Sequence, residues 1–178
     1  MENGTVYTEL DQIVSILTTV GLQLNYWPVG DSPEIKALLN KAFLNEDEKE
    51  ELLQYIDDYF IHLKEKGYLR RDLVVLHPDL PNLSNLLKEY GACHTHTDET
   101  IRYVIEGESS VGFLLSDGKQ ARLQLYPGES ITIPTNVEHW FHPTVSPRLK
   151  LVRYFNKNDN GVPVGTETII RLSGKVTH

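Results

Sequence analysis

The chain has 178 residues, of which 40% are hydrophobic, and this is enough for a substantial core within a single globular domain. A formal net charge of −8, from 25 acidic and 17 basic residues, argues against binding to nucleic acid or to an anionic membrane. Cys93 is the only cysteine, so an intramolecular disulfide is excluded. Neither a signal peptide nor an apolar run approaching the ~18 residues of a membrane span is recognisable, so a cytoplasmic location is expected.

The first predicted elements are a helix and a short strand. Residues 8–21, TELDQIVSILTTVG, repeat apolar side chains at intervals of three and four, which predicts an amphipathic helix. Thr8 is placed as its N-cap and Gly21 as its end. The following residues, LQLNYW, alternate in the manner of a strand.

Two further helices are predicted before the chain changes character. Pro33 opens the first of them, and Asn45 caps the second, EDEKEELLQYIDDYFIHLKEKG, whose acidic first turn and basic end suit the helix dipole. Its charged run is interpreted as a solvated helix face. DLVVLH, residues 72–77, is predicted to be a buried strand, and a short helix follows within HPDLPNLSNLLKEYG.

The second half of the chain consists of short apolar runs separated by glycine, proline and asparagine. The runs are IRYVIEG, SVGFLLS, ARLQLYP, SITIPT, HWFHPTV, RLKLVRYF and TETIIRL. This pattern is typical of a small antiparallel barrel or sandwich. The prediction is therefore a β-rich α+β protein with one domain over residues 1–178, in which a mainly helical N-terminal lobe (1–90) precedes a β-barrel (91–178) that carries the functional site.

Three histidines form a candidate metal site. His94 and His96, in CHTHTDETIRYVIEG, share parity on an extended chain and so point to the same face. His139 ends the motif G-x5-P-x-N-x2-H in GESITIPTNVEHWF, which brings a third imidazole from a distant part of the chain. Metal sites use this arrangement because the paired ligands fix the geometry and the fold supplies the distant one.

These two histidine segments resemble the two motifs of the cupin superfamily. Together with KGYLRRDLVVL and LVRYF, they resemble acireductone dioxygenases, in the family's order and over residues 8 to 156, including the helical part. The resemblance implies a cupin (double-stranded β-helix, or jelly-roll) barrel that binds one Fe²⁺ or Ni²⁺ ion per chain through three histidines and a glutamate. By position the histidines are His94, His96 and His139.

The resemblance also implies a substrate site next to the metal. Arg102 matches the arginine that the family uses near the substrate oxygens, and it is the expected catalytic residue. Phe141 and Arg153 match positions in the family's motifs. Arg102, Phe141 and Arg153, with Thr100, are the expected substrate-binding residues.

The match fails at the carboxylate ligand, because Thr100 stands where the family has a glutamate. Glu99 is one residue away but has the opposite strand parity, so it ligates only if a bulge shifts the register. Three alternatives follow: a site with three histidines and Thr100 lining the cavity, a shifted site using Glu99 or Asp98, or a vacated site. A second difference is Gly161, which lies about where the family has a tryptophan.

The leading hypothesis is a mononuclear non-haem metal-dependent dioxygenase that cleaves an enediol with O2, as in methionine salvage. The alternatives are an oxygenase or isomerase acting on another enediol or a β-dicarbonyl, and a non-catalytic cupin that binds a small ligand. The expected partners are a small-molecule substrate and O2, without nucleic acid or membrane. The expected assembly is a monomer or a small homo-oligomer.

Overall fold

The computed structural model describes residues 1–143, 147–156 and 161–172. The elements follow in the order α1 (Leu10–Thr18), β1 (Gln23–Tyr26), α2 (Pro33–Asn40), α3 (Glu46–Tyr55), α4 (Asp57–Lys64), β2 (Tyr68–Leu76), α5 (Leu83–Gly91), β3 (His94–Thr95), β4 (Thr100–Gly107), β5 (Ser109–Leu114), β6 (Gln120–Leu125), β7 (Glu129–Ile133), β8 (His139–Pro143), β9 (Leu149–Asn156) and β10 (Val164–Gly165). Within the described residues, no helix combines the length and the apolar character needed to cross a membrane.

The strands form two antiparallel five-stranded sheets. The first sheet has the order β1-β7-β4-β9-β2, and the second has the order β10-β3-β8-β5-β6. Both sheets direct apolar side chains into a shared interior that includes Val104, Val111, Ile131 and Leu151. This arrangement confirms the predicted β-rich α+β class, because each sheet buries its apolar face against the other.

Three helices pack against the first sheet and form a second hydrophobic cluster with it. The cluster joins Leu52, Tyr59 and Phe60 of α3 and α4 to Tyr103 and Tyr154 of the sheet. Strands β1 and β2, from the N-terminal half, pair with β7 and β9 in that same sheet. The helical part of the chain is therefore joined to the barrel by both side-chain packing and strand pairing.

The helix ends agree only partly with the sequence predictions. Ser32 and Asn45 cap α2 and α3 as side-chain acceptors, and Asn45 forms a capping box with Glu48. Thr8 is not the cap of α1, because the N–H groups of Gln12 and Ile13 bond to the carbonyl of Glu9 instead.

The helix predicted from residue 46 to Gly67 is in fact two helices, α3 and α4. The break lies at Ile56, whose φ of −109° and ψ of 20° are not helical. Asp57 and Asp58 then provide α4 with an acidic first turn of its own, which a new helix N-terminus favours.

The last predicted strand is also wrong, since residues 166–172 join no sheet. Only Val164 and Gly165, just before them, pair with a strand. Beyond that point, the Gln120 side chain bonds to the backbone of Ile169, Arg171 and Leu172. The backbone of Ile169, Arg171 and Leu172 is therefore held by a side chain, whereas Thr166 still bonds through its N–H to the carbonyl of Cys93, just before β3.

Candidate metal centre

The second sheet and the loop after β3 bring three histidines together from two parts of the chain. His94 on β3 lies opposite His139 on β8, and their ring centroids are 4.4 Å apart. The ring of His96 lies 5.3 Å from that of His94 and 5.4 Å from that of His139. One nitrogen from each ring lies within 4.8 Å of the others. These distances fit three imidazoles directed at a common point.

Backbone carbonyls orient two of these rings. The Nδ1–H of His94 donates to the carbonyl of Ala92 at 2.7 Å, and that of His139 donates to the carbonyl of Val137 at 2.8 Å. A proton on Nδ1 leaves the lone pair on Nε2, which is how metal-ligating histidines are usually held. Nε2 of His139 is fully buried and has no hydrogen-bond partner among the described residues. A metal ion would satisfy this nitrogen, so the residues present fit the expected group.

A strained turn supports the third histidine. Asn136 has a φ of 60°, the only positive value at a described residue other than glycine. Its N–H donates to the carbonyl of His96 at 3.0 Å, so the loop that delivers His139 also holds His96. Asparagine tolerates this left-handed conformation better than most residues. The P-x-N sequence before His139 signalled this turn, but the contact with His96 was not predicted.

All three imidazoles are held in the neutral form. Burial, the largest cause, and the positive charge of Arg102 both lower the pKa of each ring. The pKa falls to about 3 for His96 and well below its ordinary value for His139. Neutral imidazole is the form that binds metals, so this environment keeps the ligands ready at neutral pH.

Arg102 reaches the histidine cluster from the opposite sheet. It lies on β4, is 3% exposed, and its Nη2 donates to Nε2 of His96 at 2.9 Å. Its guanidinium carbon lies 5.7 Å from the ring centroid of Phe141 and 5.4 Å from that of Phe155. Phe141 also meets the ring of His139 edge-on, with 5.8 Å between centroids. The predicted catalytic arginine and the predicted aromatic residue are thus both at the site.

Arg153 lies opposite Arg102 in the β4–β9 pairing. Asp72 accepts two hydrogen bonds from its guanidinium, at 2.7 and 2.6 Å, which fixes its direction. Arg153 also lies over the ring of Phe155, at 5.4 Å from the centroid. Phe155, which is 4% exposed, therefore contacts both arginines. The LVRYF segment contained Phe155, but the pattern did not single out its role.

Thr100 and the neighbouring acidic residues have different surroundings. Thr100 is fully buried, and its hydroxyl has no hydrogen-bond partner among the described residues. The carboxylate of Glu99 accepts a hydrogen bond from the hydroxyl of Tyr68. Asp98 accepts one from the side chain of Asn156 at 3.2 Å and one from the backbone of Glu99 at 2.8 Å. Within the described residues, the metal-ligand cluster contains the three histidines without either carboxylate.

Two facing antiparallel sheets around a buried cluster of three histidines define a metal-binding protein of the cupin class. A solved structure with this architecture is the acireductone dioxygenase of Bacillus anthracis with a cadmium ion in its active centre. It matches with a TM-score of 0.79 and 24% identity, over 89% of this chain and 91% of that one. That similarity establishes the shared fold.

Comparison of sequences identifies the family. The model of the ARD/ARD' family matches residues 31–163. The acireductone dioxygenase of Microcystis aeruginosa is 48% identical over 173 residues, which cover 97% of this chain and 94% of that protein. The acireductone dioxygenase of Trichodesmium erythraeum is 46% identical, over 97% and 96% of the two chains. The chain belongs to the ARD/ARD' family, and it is a metal-dependent dioxygenase.

Proposed function

We propose that this dioxygenase cleaves acireductone, the enediol named in its relatives, in the manner of methionine salvage. One Fe²⁺ or Ni²⁺ ion per chain is held by His94, His96 and His139. The observation that carries this proposal is the convergence of three buried imidazoles, with ligand nitrogens within 4.8 Å of one another. Three imidazoles accept several divalent metals, so geometry supports the site and experiment decides the ion.

When bound, the metal would orient the two substrate oxygens, withdraw charge from them and bring O2 close. The protein supplies the surroundings. Arg102 places a permanent positive charge beside the cluster, where it would stabilise an anionic substrate oxygen. A buried guanidinium acts more strongly than an exposed one, because water does not screen it.

The remaining substrate contacts come from side chains that are already fixed. The rings of Phe141 and Phe155 flank Arg102 and exclude water from its faces. Arg153, held by Asp72, gives a second positive group on the same face of the sheet. We propose that Phe141 and Arg153 bind the substrate and that Thr100 lines the same cavity.

A second candidate function keeps the site but changes the substrate. Gly161 has a φ of 74°, and a Cβ there would lie 3.3 Å from Cζ of Phe155. A larger side chain at this position would press on a ring that contacts both arginines. Glycine leaves this ring uncompressed, which supports a substrate of different shape, so a second enediol and a β-dicarbonyl belong in the assay.

The experiment that tests the proposal combines metal analysis with oxygen consumption. The purified chain is expected to hold about one iron or nickel per chain, and to consume O2 when acireductone prepared anaerobically is mixed with oxygenated buffer. His139→Ala should lose both properties. His62→Ala is the matched control, because His62 is exposed and stacks on Trp27, away from the cluster.

The possible outcomes separate the two candidates. If the purified chain holds metal and turns over another enediol but not acireductone, the second candidate function replaces the first. Metal content unchanged in His139→Ala would contradict the site itself. We also propose a cytoplasmic location, with which the single cysteine is compatible, and the assembly as a monomer or small homo-oligomer stays a prediction.

A further inference from the structure

The cation Arg102 is in contact with the histidine cluster, whereas the nearby Arg153 is paired with Asp72. The charged side chains that act on the pKa of His94 and His96 include Arg102 and Arg153. Glu99 and Asp98, the acidic residues next in sequence, bond instead to Tyr68 and Asn156. A divalent ion on three neutral imidazoles would therefore keep its full charge in a buried site, which is unfavourable unless an anion joins it.

Metal binding would also redirect a hydrogen-bond donor. Arginine is always a donor, so the lone pair of Nε2 of His96 accepts the hydrogen bond from Arg102. A neutral imidazole has only one lone pair, so coordination of a metal by His96 and this hydrogen bond exclude each other. Once a metal is bound, this N–H of Arg102 loses the lone pair of His96 as its acceptor, and an anion beside the ion would replace that acceptor.

Thr100 provides a second donor on the same strand. Thr100 and Arg102 are two residues apart on β4, so their side chains point to the same face of the sheet. The Thr100 hydroxyl is fully buried and has no hydrogen-bond partner among the described residues. A buried hydroxyl that lacks a partner is costly, and an anion next to the metal would satisfy it.

We propose that the metal centre binds a small monovalent anion, of the size of azide or formate, between the metal, Thr100 and Arg102. The anion supplies the negative charge that the three imidazoles do not. This inference rests on the proposed metal site, and it adds a ligand that an anionic substrate would have to displace.

The test uses the full chain loaded with Co²⁺, whose visible absorption reports its ligands. Sodium azide is titrated at constant ionic strength, with sodium perchlorate as the balancing salt. We expect a saturable change in the cobalt bands and a shifted asymmetric stretch of azide in the infrared spectrum. His139→Ala, titrated in parallel, identifies any cobalt that is bound elsewhere.

Two variants with side chains of equal size at position 100 distinguish the effect of charge on azide binding from the effect of side-chain volume. Thr100→Glu adds a carboxylate on the face of Arg102, and it should weaken azide binding at least about tenfold through repulsion and direct ligation. Thr100→Gln has the same volume without the charge, and its amide N–H groups can donate to the anion in place of the hydroxyl, so it should retain binding within about threefold of the parent. The titration of the parent chain stands by itself if either variant fails to fold.

Each outcome bears on a different proposal. Failure of the parent to bind cobalt would overturn the metal site and the anion site together. Cobalt binding with spectra that do not respond to azide would overturn the anion site and leave the proposed function intact. Equal weakening by Thr100→Glu and Thr100→Gln would assign the effect to volume and overturn the charge argument. A loss confined to Thr100→Glu would support it.

Discussion

Arg102 is the residue on which the proposed chemistry depends most. Arg102→Ala should leave the metal content unchanged, because the three histidines keep their positions, and should lower kcat/KM by about 10²- to 10³-fold. Metal analysis and oxygen consumption check the two parts. Arg70→Ala is the control, since Arg70 also lies over the ring of Phe155, at 5.7 Å, but is exposed. Equal losses in the two variants would assign the effect to general positive charge.

Gly112 shows how one residue fixes a contact between strands. It lies opposite Trp140, and a Cβ there would come within 2.0 Å of the indole ring. Gly112→Ala should therefore lower the free energy of unfolding by about 1–3 kcal/mol or more, as overpacking does. Urea unfolding measures this change. Gly165→Ala is the matched control, because a Cβ there meets nothing within 4 Å and no change is expected.

At the scale of an element, the C-terminal strap (residues 161–172) supports the strand that carries His94. Gly165 pairs with His94, and the N–H of Thr166 donates to the carbonyl of Cys93 at 3.1 Å. The hydroxyl of Thr168 donates to Glu138, next to His139, at 2.8 Å. The strap therefore contacts the neighbours of two of the three histidines.

Gln120 anchors this strap and is fully buried. Its amide donates to the carbonyl of Ile169 at 2.8 Å and accepts from the N–H groups of Arg171 and Leu172 at 2.7 and 3.1 Å. Gln120→Ala should lower the free energy of unfolding by about 1–3 kcal/mol, because buried partners lose their hydrogen bonds. It should also weaken metal binding several-fold and expose the strap to protease.

Gln124→Ala is the control for this prediction. Gln124 lies on the same strand, but its side chain donates to Glu108 at 3.3 Å, away from the strap. The metal affinity of the Gln124→Ala variant, and the rate at which protease cleaves it, should match those of the parent chain. Unchanged metal affinity in Gln120→Ala would restrict the strap to a role in stability.

At the scale of the whole molecule, we propose that the chain unfolds as one unit. The helical cluster and the barrel share the first sheet, and the buried Lys150 joins them further. Its Nζ donates to the carbonyls of Leu39 and Lys41, beyond the first sheet, at 2.7 and 2.8 Å. A division of the chain into two independent domains would have to break all of these contacts.

The two tryptophans make this testable, because each lies in a different part. Trp27 stacks on Tyr59 in the helical cluster, with 5.1 Å between ring centroids, and Trp140 is fully buried in the second sheet. Trp27→Phe and Trp140→Phe leave one fluorescent reporter each. For each variant, the urea midpoint measured by fluorescence should coincide with the midpoint measured by circular dichroism. A separate transition for the helical cluster would contradict a single domain.

The sequence alone determined the features that depend on local spacing. Helix caps and strand patterns depend on neighbouring residues, so they can be predicted from sequence. The cap at Asn45 was predicted in this way, whereas the cap at Ser32 was not named. The H-x-H pair and His139 were predicted to be metal ligands because two motifs with a definite chemistry occurred together. The match of four segments then extended the prediction from the site to the family.

Tertiary structure decided everything that depends on contacts between distant residues. The break at Ile56, the strap held by Gln120, and Phe155 between two arginines arise from packing across many residues of sequence. The strand parity of Glu99 could be predicted from the sequence, but its hydrogen bond with Tyr68 could not. Local patterns specify which residue types face inward, whereas the hydrogen-bond partner of a buried group is fixed only when the sheets close around it.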